Sequence, residues 1–325
     1  MANHINNIIS DGNSQMNNMQ QNNTATQPLM PEVKKRDNLF GIAVGRKGTG
    51  KTNEDLKQAL YLAYGNGVHK EKSLFFDSVG ELGAYKVDSK QVHCIKTIEK
   101  KDIIAYSNFK GYEVRRIVPK HPNGMPMSME ETDELLCYLL EYFRNGLFSI
   151  SDLSQLYGAN LPLKFSGKLT TNRHRSSDLS ISIQNIGRLS PIIIENLNYI
   201  RLYRTNASVN KYKSRLAEDY EILRIGELIV NKRYDAGEHH FWIYVNKDEM
   251  KLEGAFSNKE LTEAIQIYLS QTKSELAPLL SMLNSEGQKV YTYPQALMLK
   301  TRELFVKYQG NKQQSPQQPI QVVPR

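Results

Sequence analysis

The chain of 325 residues is 40% hydrophobic and 23% charged, the ordinary balance of a soluble globular protein and enough for one large α/β domain or two modest ones. No run of about 18 apolar residues occurs, so no membrane span is expected. The opening MANHINNIISDGNSQMNN lacks the basic-then-apolar order of a secretory signal. Cys94 and Cys137 are far apart and in no CxxC pattern, so a reducing compartment with neither disulfide nor zinc site is expected. A net charge of +8 with pI near 9.2 favours polyanionic partners, nucleic acid first among them.

Residues 1–36 are rich in Asn, Gln, Thr and Met and carry almost no apolar periodicity. Such an arm buries too little apolar surface to offset its ordering entropy and is expected to be disordered, as is the Gln/Pro-rich tail 309–325. Between them, residues 37–215 alternate strand and helix signals. NLFGIAV predicts a buried strand, and a helix follows with Leu56, Ala59, Leu60, Ala63 and Tyr64 on one face and Gly65 as its stop. KSLFFDS and GYEVRRIVP predict two further strands. Ser128 and Glu131 form a capping box for a helix buried through Leu135, Leu136, Leu139, Leu140 and Phe143, and ended at Gly146. LFSIS, LSISI and YIRLYRT supply three more strands. Apolar strands joined by helices imply an α/β, doubly wound, mostly parallel sheet. Over 216–308 the pattern changes. ELIVNKRYDAGEHHFWIYVN predicts an antiparallel hairpin turning at Asp235 to Gly237, and a second capping box, Ser257 and Glu260, opens a helical part suited to packing or subunit contact.

The chemistry concentrates in GRKGTGKT. Gly45, Arg46, Lys47, Gly48, Thr49, Gly50, Lys51 and Thr52 have the spacing of a phosphate-binding loop, with a strand before and a helix after. The glycines let backbone N–H groups turn toward phosphate oxygens. Lys51 is expected to reach the β and γ phosphates of ATP, and the Thr52 hydroxyl to ligate Mg²⁺. Such a site needs a carboxylate at a neighbouring strand end. Asp152, after the strand starting at Leu147, is preferred as coming from the unit expected beside the loop strand; Asp77, after SLFF, is the competitor. Gln184, where an apolar strand ends, suits a γ-phosphate or water sensor. Arg173 suits an arginine finger acting on a neighbouring subunit, with a DNA contact or surface ion pair as its alternative. Lys164, Lys168, Arg173 and Arg175, with Tyr157 and Phe165 between them, form a basic loop able to track phosphates. Arg201, Arg204, Lys211, Lys213 and Arg215 add charge, or else the exposed side of an edge strand. His239 and His240 are adjacent, so on a strand they point to opposite faces and share no metal; a structural role is expected.

The order GRKGTGKT, strand-end Asp77, FSISDL, and Arg173–His174 through Asp178 to Gln184 resembles the FtsK–HerA superfamily of motor ATPases. Within it the chain looks most like the genome-packaging ATPases of pox-like and membrane-containing viruses, and like the Zot-like proteins of filamentous phages. The resemblance covers roughly residues 37–235. It implies a homo-oligomeric ring, usually a hexamer, that threads DNA using ATP and Mg²⁺. Lys51 and Thr52 would then be the Walker A pair, Asp152 the Walker B acid and Gln184 the sensor. It also implies the host cytoplasm or the virion as location, and a vertex or portal-type protein as partner. One departure stands out, because the family's acid beside the Walker B Asp is missing between Ser151 and Leu153. Glu81 is the substitute on offer. A Zot-like export ATPase and a nucleotide-gated DNA-binding scaffold with weak hydrolysis are the rival readings.

Overall fold

In the computed structural model, which describes residues 38–65, 70–80, 82–86, 92–157, 161–171 and 177–309, the first apolar run becomes β1, Phe40–Val44, with every residue buried. The loop then enters α1, Lys51–Tyr64. Strands β2 (Lys72–Phe76), β3 (Ala84–Lys86), β4 (Val92–Cys94) and β5 (Lys96–Thr97) follow. Next come α2 (Ile103–Asn108), β6 (Val114–Ile117), α3 (Met129–Tyr142), β7 (Gly146–Ile150), α4 (Leu153–Leu156) and α5 (Leu163–Thr171). After β8 (Ser177–Ile183), α6 (Pro191–Glu195) and β9 (Tyr199–Tyr203) lie α7 (Lys213–Leu216) and α8 (Tyr220–Asp235). The chain continues through β10 (Trp242–Asn246), β11 (Lys251–Glu253), α9 (Asn258–Gln271), α10 (Ala277–Leu280) and α11 (Tyr293–Tyr308). The arm 1–36 and the tail beyond Gln309 lie outside the described residues.

Nine of these strands form one sheet in the order β11-β10-β9-β1-β8-β7-β2-β6-β5. From β9 to β5 all pairings are parallel, and β10 and β11 join antiparallel at one edge. The doubly wound mostly parallel sheet expected from the strand and helix signals is therefore present. Alternate side chains of its strands feed two apolar layers. Phe75, Val114 and Leu147 pack with Leu56, Ala59 and Leu60 of α1 on one face. Leu74, Phe76, Phe148 and Ile150 join Leu135, Leu136, Leu139 and Leu140 of α3 on the other. Both capping boxes form as written in the sequence, with Glu131 and Glu260 amides donating to Ser128 and Ser257. Strand β10 extends the sheet of the loop domain, so residues after 215 complete the same core.

Two expectations fail here. The predicted hairpin turning at Asp235 to Gly237 is instead α8 followed by a strand. Ile222, Leu223, Ile225, Gly226, Ile229 and Val230 are buried at three- and four-residue spacing, and the helical period outweighs the local β-propensity of ELIV. The hairpin of this region is β10–β11, one element later. Gly146 does not stop α3 either. The helix ends at Tyr142, Asn145 takes the left-handed turn (φ 57°), and Gly146 opens β7. Its role is close approach, because a Cβ there would lie 2.4 Å from the Lys72 carbonyl oxygen.

Gly41 makes the same argument inside β1. A Cβ there would fall 1.8 Å from Cζ of Tyr199, its partner across the β1–β9 pair. Gly41→Ala is expected to lower stability by about 1–3 kcal/mol, the usual cost of overpacking. The readout is a lower urea midpoint at unchanged m-value, and an unshifted midpoint would show that the ring moves freely aside.

Candidate functional site

The loop from Gly45 to Thr52 is anchored at its start by two neighbouring strand ends. The Gly45 amide donates to the Ile183 carbonyl at 3.1 Å, and the Arg46 amide to the Arg204 carbonyl at 2.8 Å. Gly48 and Gly50 take left-handed backbone (φ 83° and 86°), a conformation open to glycine at little cost. The Thr49 hydroxyl closes the loop by donating to the Arg46 carbonyl at 2.9 Å. Lys51 opens α1, and its buried ammonium donates to the carbonyls of Gly45 (2.6 Å) and Arg46 (3.0 Å). Burial lowers the Lys51 pKa, while the nearby Asp152 and then Asp55 pull it back up. Loop amides, a helix N-terminus and an ammonium converge here, a combination suited to a polyanionic phosphate chain.

Across from the loop, the ends of β2 and β7 are tied together. The Ser151 hydroxyl donates to the Phe76 carbonyl at 2.8 Å, and the Ser78 hydroxyl donates to the Ser151 carbonyl at 2.9 Å. The tie sets Asp77 and Asp152 side by side, and both line one cavity of about 360 Å³ with Lys51 and Thr52. Their environments differ. Asp77 is buried and occupied, accepting from the amides of Gly80 and Leu82 at 2.9 Å each and from the Arg116 guanidinium at 3.0 Å. Asp152 sits in left-handed backbone (φ 42°) and accepts from the Gln184 side-chain amide at 3.1 Å. Asp152 and Gln184 thus meet.

The reason given for preferring Asp152 does not hold. Its strand, β7, does not adjoin β1, because β8 runs between them. Asp152 comes within range of the loop across one intervening strand, whose own end presents Gln184. Leu153, the residue after it, is only 1% exposed and belongs to the core. Glu81 and the segment with Arg173, His174 and Arg175 lie outside the described residues.

Beneath the loop is a feature the sequence reading missed. Arg201 is expected either to add basic charge or to lie on the exposed side of an edge strand, yet β9 is interior to the sheet and Arg201 is 1% exposed. Its guanidinium donates to Asp55 of α1 at 3.0 Å and to the Gln58 side-chain oxygen at 2.7 Å. Asp55, 2% exposed, also accepts from the hydroxyls of Ser182 (2.6 Å) and Ser180 (3.3 Å) on β8. The rings of Trp242 and Tyr244 on β10 flank the guanidinium at 5.5 and 5.6 Å. The signal lay in YIRLY, an arginine within an apolar strand, and in the serines of LSISI.

The basic loop is largely helix. Lys164 and Lys168 lie on α5, Lys168 pairs with Glu141 of α3, and Phe165 and Tyr157 are buried against each other with ring centroids 5.6 Å apart. Those two aromatics serve the core, which corrects their reading as partners of a nucleic-acid loop. His239 and His240 precede β10 in an exposed turn, so the strand geometry expected for them does not apply. Among the described residues no cluster of three or more His, Cys, Asp or Glu side chains has metal-binding geometry.

No family model and no curated protein matches the chain. Solved structures do. The genome packaging NTPase B204 from Sulfolobus turreted icosahedral virus 2, in complex with AMP, is similar over 66% of this chain and 95% of its own, at 13% identity and a TM-score of 0.42. Its complex with ATP-gammaS matches over 67% and 96%, at 14% identity and a TM-score of 0.42. The N-terminal domain of zonular occludens toxin from Neisseria meningitidis matches over 53% and 79%, at 13% identity and a TM-score of 0.29. These are the two kinds of protein that the sequence resemblance names. At such values it is the chain's own sheet order and loop that define its P-loop fold. No helix among the described residues is long and apolar enough to cross a membrane.

The buried pair makes a sharp prediction. Asp55→Ala or Arg201→Ala leaves its partner's charge out of water, and each is expected to cost about 3–5 kcal/mol in urea unfolding. Asp55→Leu combined with Arg201→Met should recover much of that loss. Single variants as stable as the parent would show that the pair does not tie α1 to the sheet.

Proposed function

We propose that the protein is an ATPase whose loop 45–52 holds the triphosphate, and that hydrolysis drives movement of DNA through a ring of subunits, as in viral genome packaging. The observation that carries the nucleotide reading is the meeting of Lys51, Thr52 and Asp152 around one cavity, with Gln184 bonded to Asp152. In this reading the loop amides and Lys51 bind the phosphate oxygens and neutralise charge as it develops. The Thr52 hydroxyl and the Asp152 carboxylate are hard oxygen donors on the same cavity, the donor type that fits Mg²⁺. When bound, Mg²⁺ would supply charge neutralisation at the β and γ oxygens. Gln184 orients the attacking water and passes the state of the site into β8. Arg173 acts from the neighbouring subunit, and Glu81 is the candidate acid to activate water.

DNA as the track is supported by the net charge of +8 and by the sequence resemblance. The rival, a nucleotide-gated DNA-binding scaffold with weak turnover, draws on two observations. Leu153 occupies the position next to Asp152, and Asp77, the other acid on the cavity, is engaged by Arg116.

Steady-state ATP hydrolysis with and without DNA, on the parent and on Asp152→Asn, separates the two. DNA-stimulated turnover that falls by about 10²-fold or more in the variant is expected for the motor. ATP binding with no turnover in either condition would favour the scaffold. For Arg173, mixing Arg173→Ala subunits with Lys51→Ala subunits is expected to restore part of the activity that each lacks alone. No recovery at any mixing ratio would leave Arg173 without a role across subunits.

A further inference from the structure

The cavity with the two acids lies on the β8, β7 and β2 side of the loop. On its opposite flank, over β9 and β10, a second group of side chains gathers. Tyr234, near the end of α8, has the guanidinium of Arg46 and that of Arg204 each 5.7 Å from its ring centroid. His239 packs edge-on against the same ring at 4.6 Å. His240 lies directly against the loop, since a Cβ at Gly50 would meet its Nδ1 at 3.1 Å. Neither Arg46 nor Arg204 pairs with a carboxylate among the described residues. The buried core does not account for this cluster, because Arg46, His239 and His240 are exposed and Tyr234 and Arg204 half-buried.

We infer that this flank is the subsite for the base of the bound nucleotide, with Tyr234 and His240 as aromatic faces and Arg46 and Arg204 as guanidinium planes. The inference rests on the reading of loop 45–52 as a triphosphate site. A triphosphate held by the loop with its terminal phosphate toward Asp152 must direct its other end away from the acids. That direction leads past Gly50 and Arg46 to Tyr234. Bases stack on aromatic rings and on guanidinium planes without regard to their hydrogen-bonding edges. The flank therefore selects for a nucleoside triphosphate over a bare polyphosphate, and for the larger stacking area of a purine over a pyrimidine. It also gives Arg46, the variable second position of the loop, a task separate from phosphate binding.

The test compares ATP, UTP and inorganic tripolyphosphate by calorimetry on the full chain and on Tyr234→Ala, Tyr234→Phe, His240→Ala and Lys51→Ala. The parent is expected to bind ATP more tightly than UTP, and UTP more tightly than tripolyphosphate. Tyr234→Ala should lose about five- to hundredfold in ATP affinity, the range of base–aromatic stacking, with tripolyphosphate affinity unchanged. Tyr234→Phe should keep the preference, and His240→Ala should narrow it. Equal losses for ATP and tripolyphosphate in Tyr234→Ala would make Tyr234 a support of the loop and overturn the inference. An unchanged ratio in both Tyr234→Ala and His240→Ala would overturn it as well, while loss of all three ligands in Lys51→Ala would leave the phosphate reading standing. A parent that binds none of the three would remove both.

Discussion

An arginine and an aspartate out of water hold this architecture in place. Taking both charges from solvent is expensive, and the cost is offset only when geometry and accessory hydrogen bonds are right. Around Arg201 and Asp55 the accessory bonds come from Gln58, Ser180 and Ser182, and the two rings of β10 flank the guanidinium, whose Nε is left without a hydrogen-bond partner among the described residues. Their effect is positional. Asp55 lies one turn into α1 from Lys51, so fixing Asp55 against β8 and β9 fixes where the helix begins and where the Lys51 ammonium stands. The same pair bonds the helix to the strand that ends in Gln184, so a shift of β8 relative to α1 would have to break buried charge interactions.

The two acids beyond the loop show how neighbouring strand ends acquire different roles. Asp77 spends its oxygens on two amides and on Arg116, which organises the turn after β2 and leaves it poorly suited to further ligands. Asp152 stands in a strained backbone position that short polar side chains tolerate best. A residue kept there has its carboxylate presented at the strand end. The serine tie between β2 and β7 brings these two environments into register. Without it the strands would end at the same height, but their carboxylates would be free to splay.

Beyond β9 the sheet turns antiparallel, and α8 with β10 builds a wall on the loop's second side. That wall supplies the rings around Arg201 inside the sheet and the Tyr234 cluster outside it. One addition to the P-loop core thus buttresses the buried pair and shapes the flank of the loop. Gly226 lets α8 come close, since a Cβ there would lie 2.7 Å from Ile243 Cδ1 on β10.

The sequence by itself determined the glycine spacing of the loop at 45–52, six of the strands of the parallel sheet, both capping boxes and the placing of Asp152 and Gln184 just past strand ends. Each of these is written in short-range patterns, such as glycine spacing, apolar runs and cap residues three apart, whose physical basis is local backbone geometry. The α8 helix was legible in the same way, through its buried positions at helical spacing, but was masked by the β-branched character of ELIV. Only the tertiary structure decided the order of the strands, which separates β7 from β1 and still delivers Asp152 to the loop. It alone decided that Arg201 is interior, that Phe165 and Tyr157 belong to the core, and that His240 rests on Gly50. The strand order, the burial of Arg201 and the seat of His240 depend on pairings across more than a hundred residues, where side-chain type constrains what can be buried together and says nothing about which strand will lie alongside which.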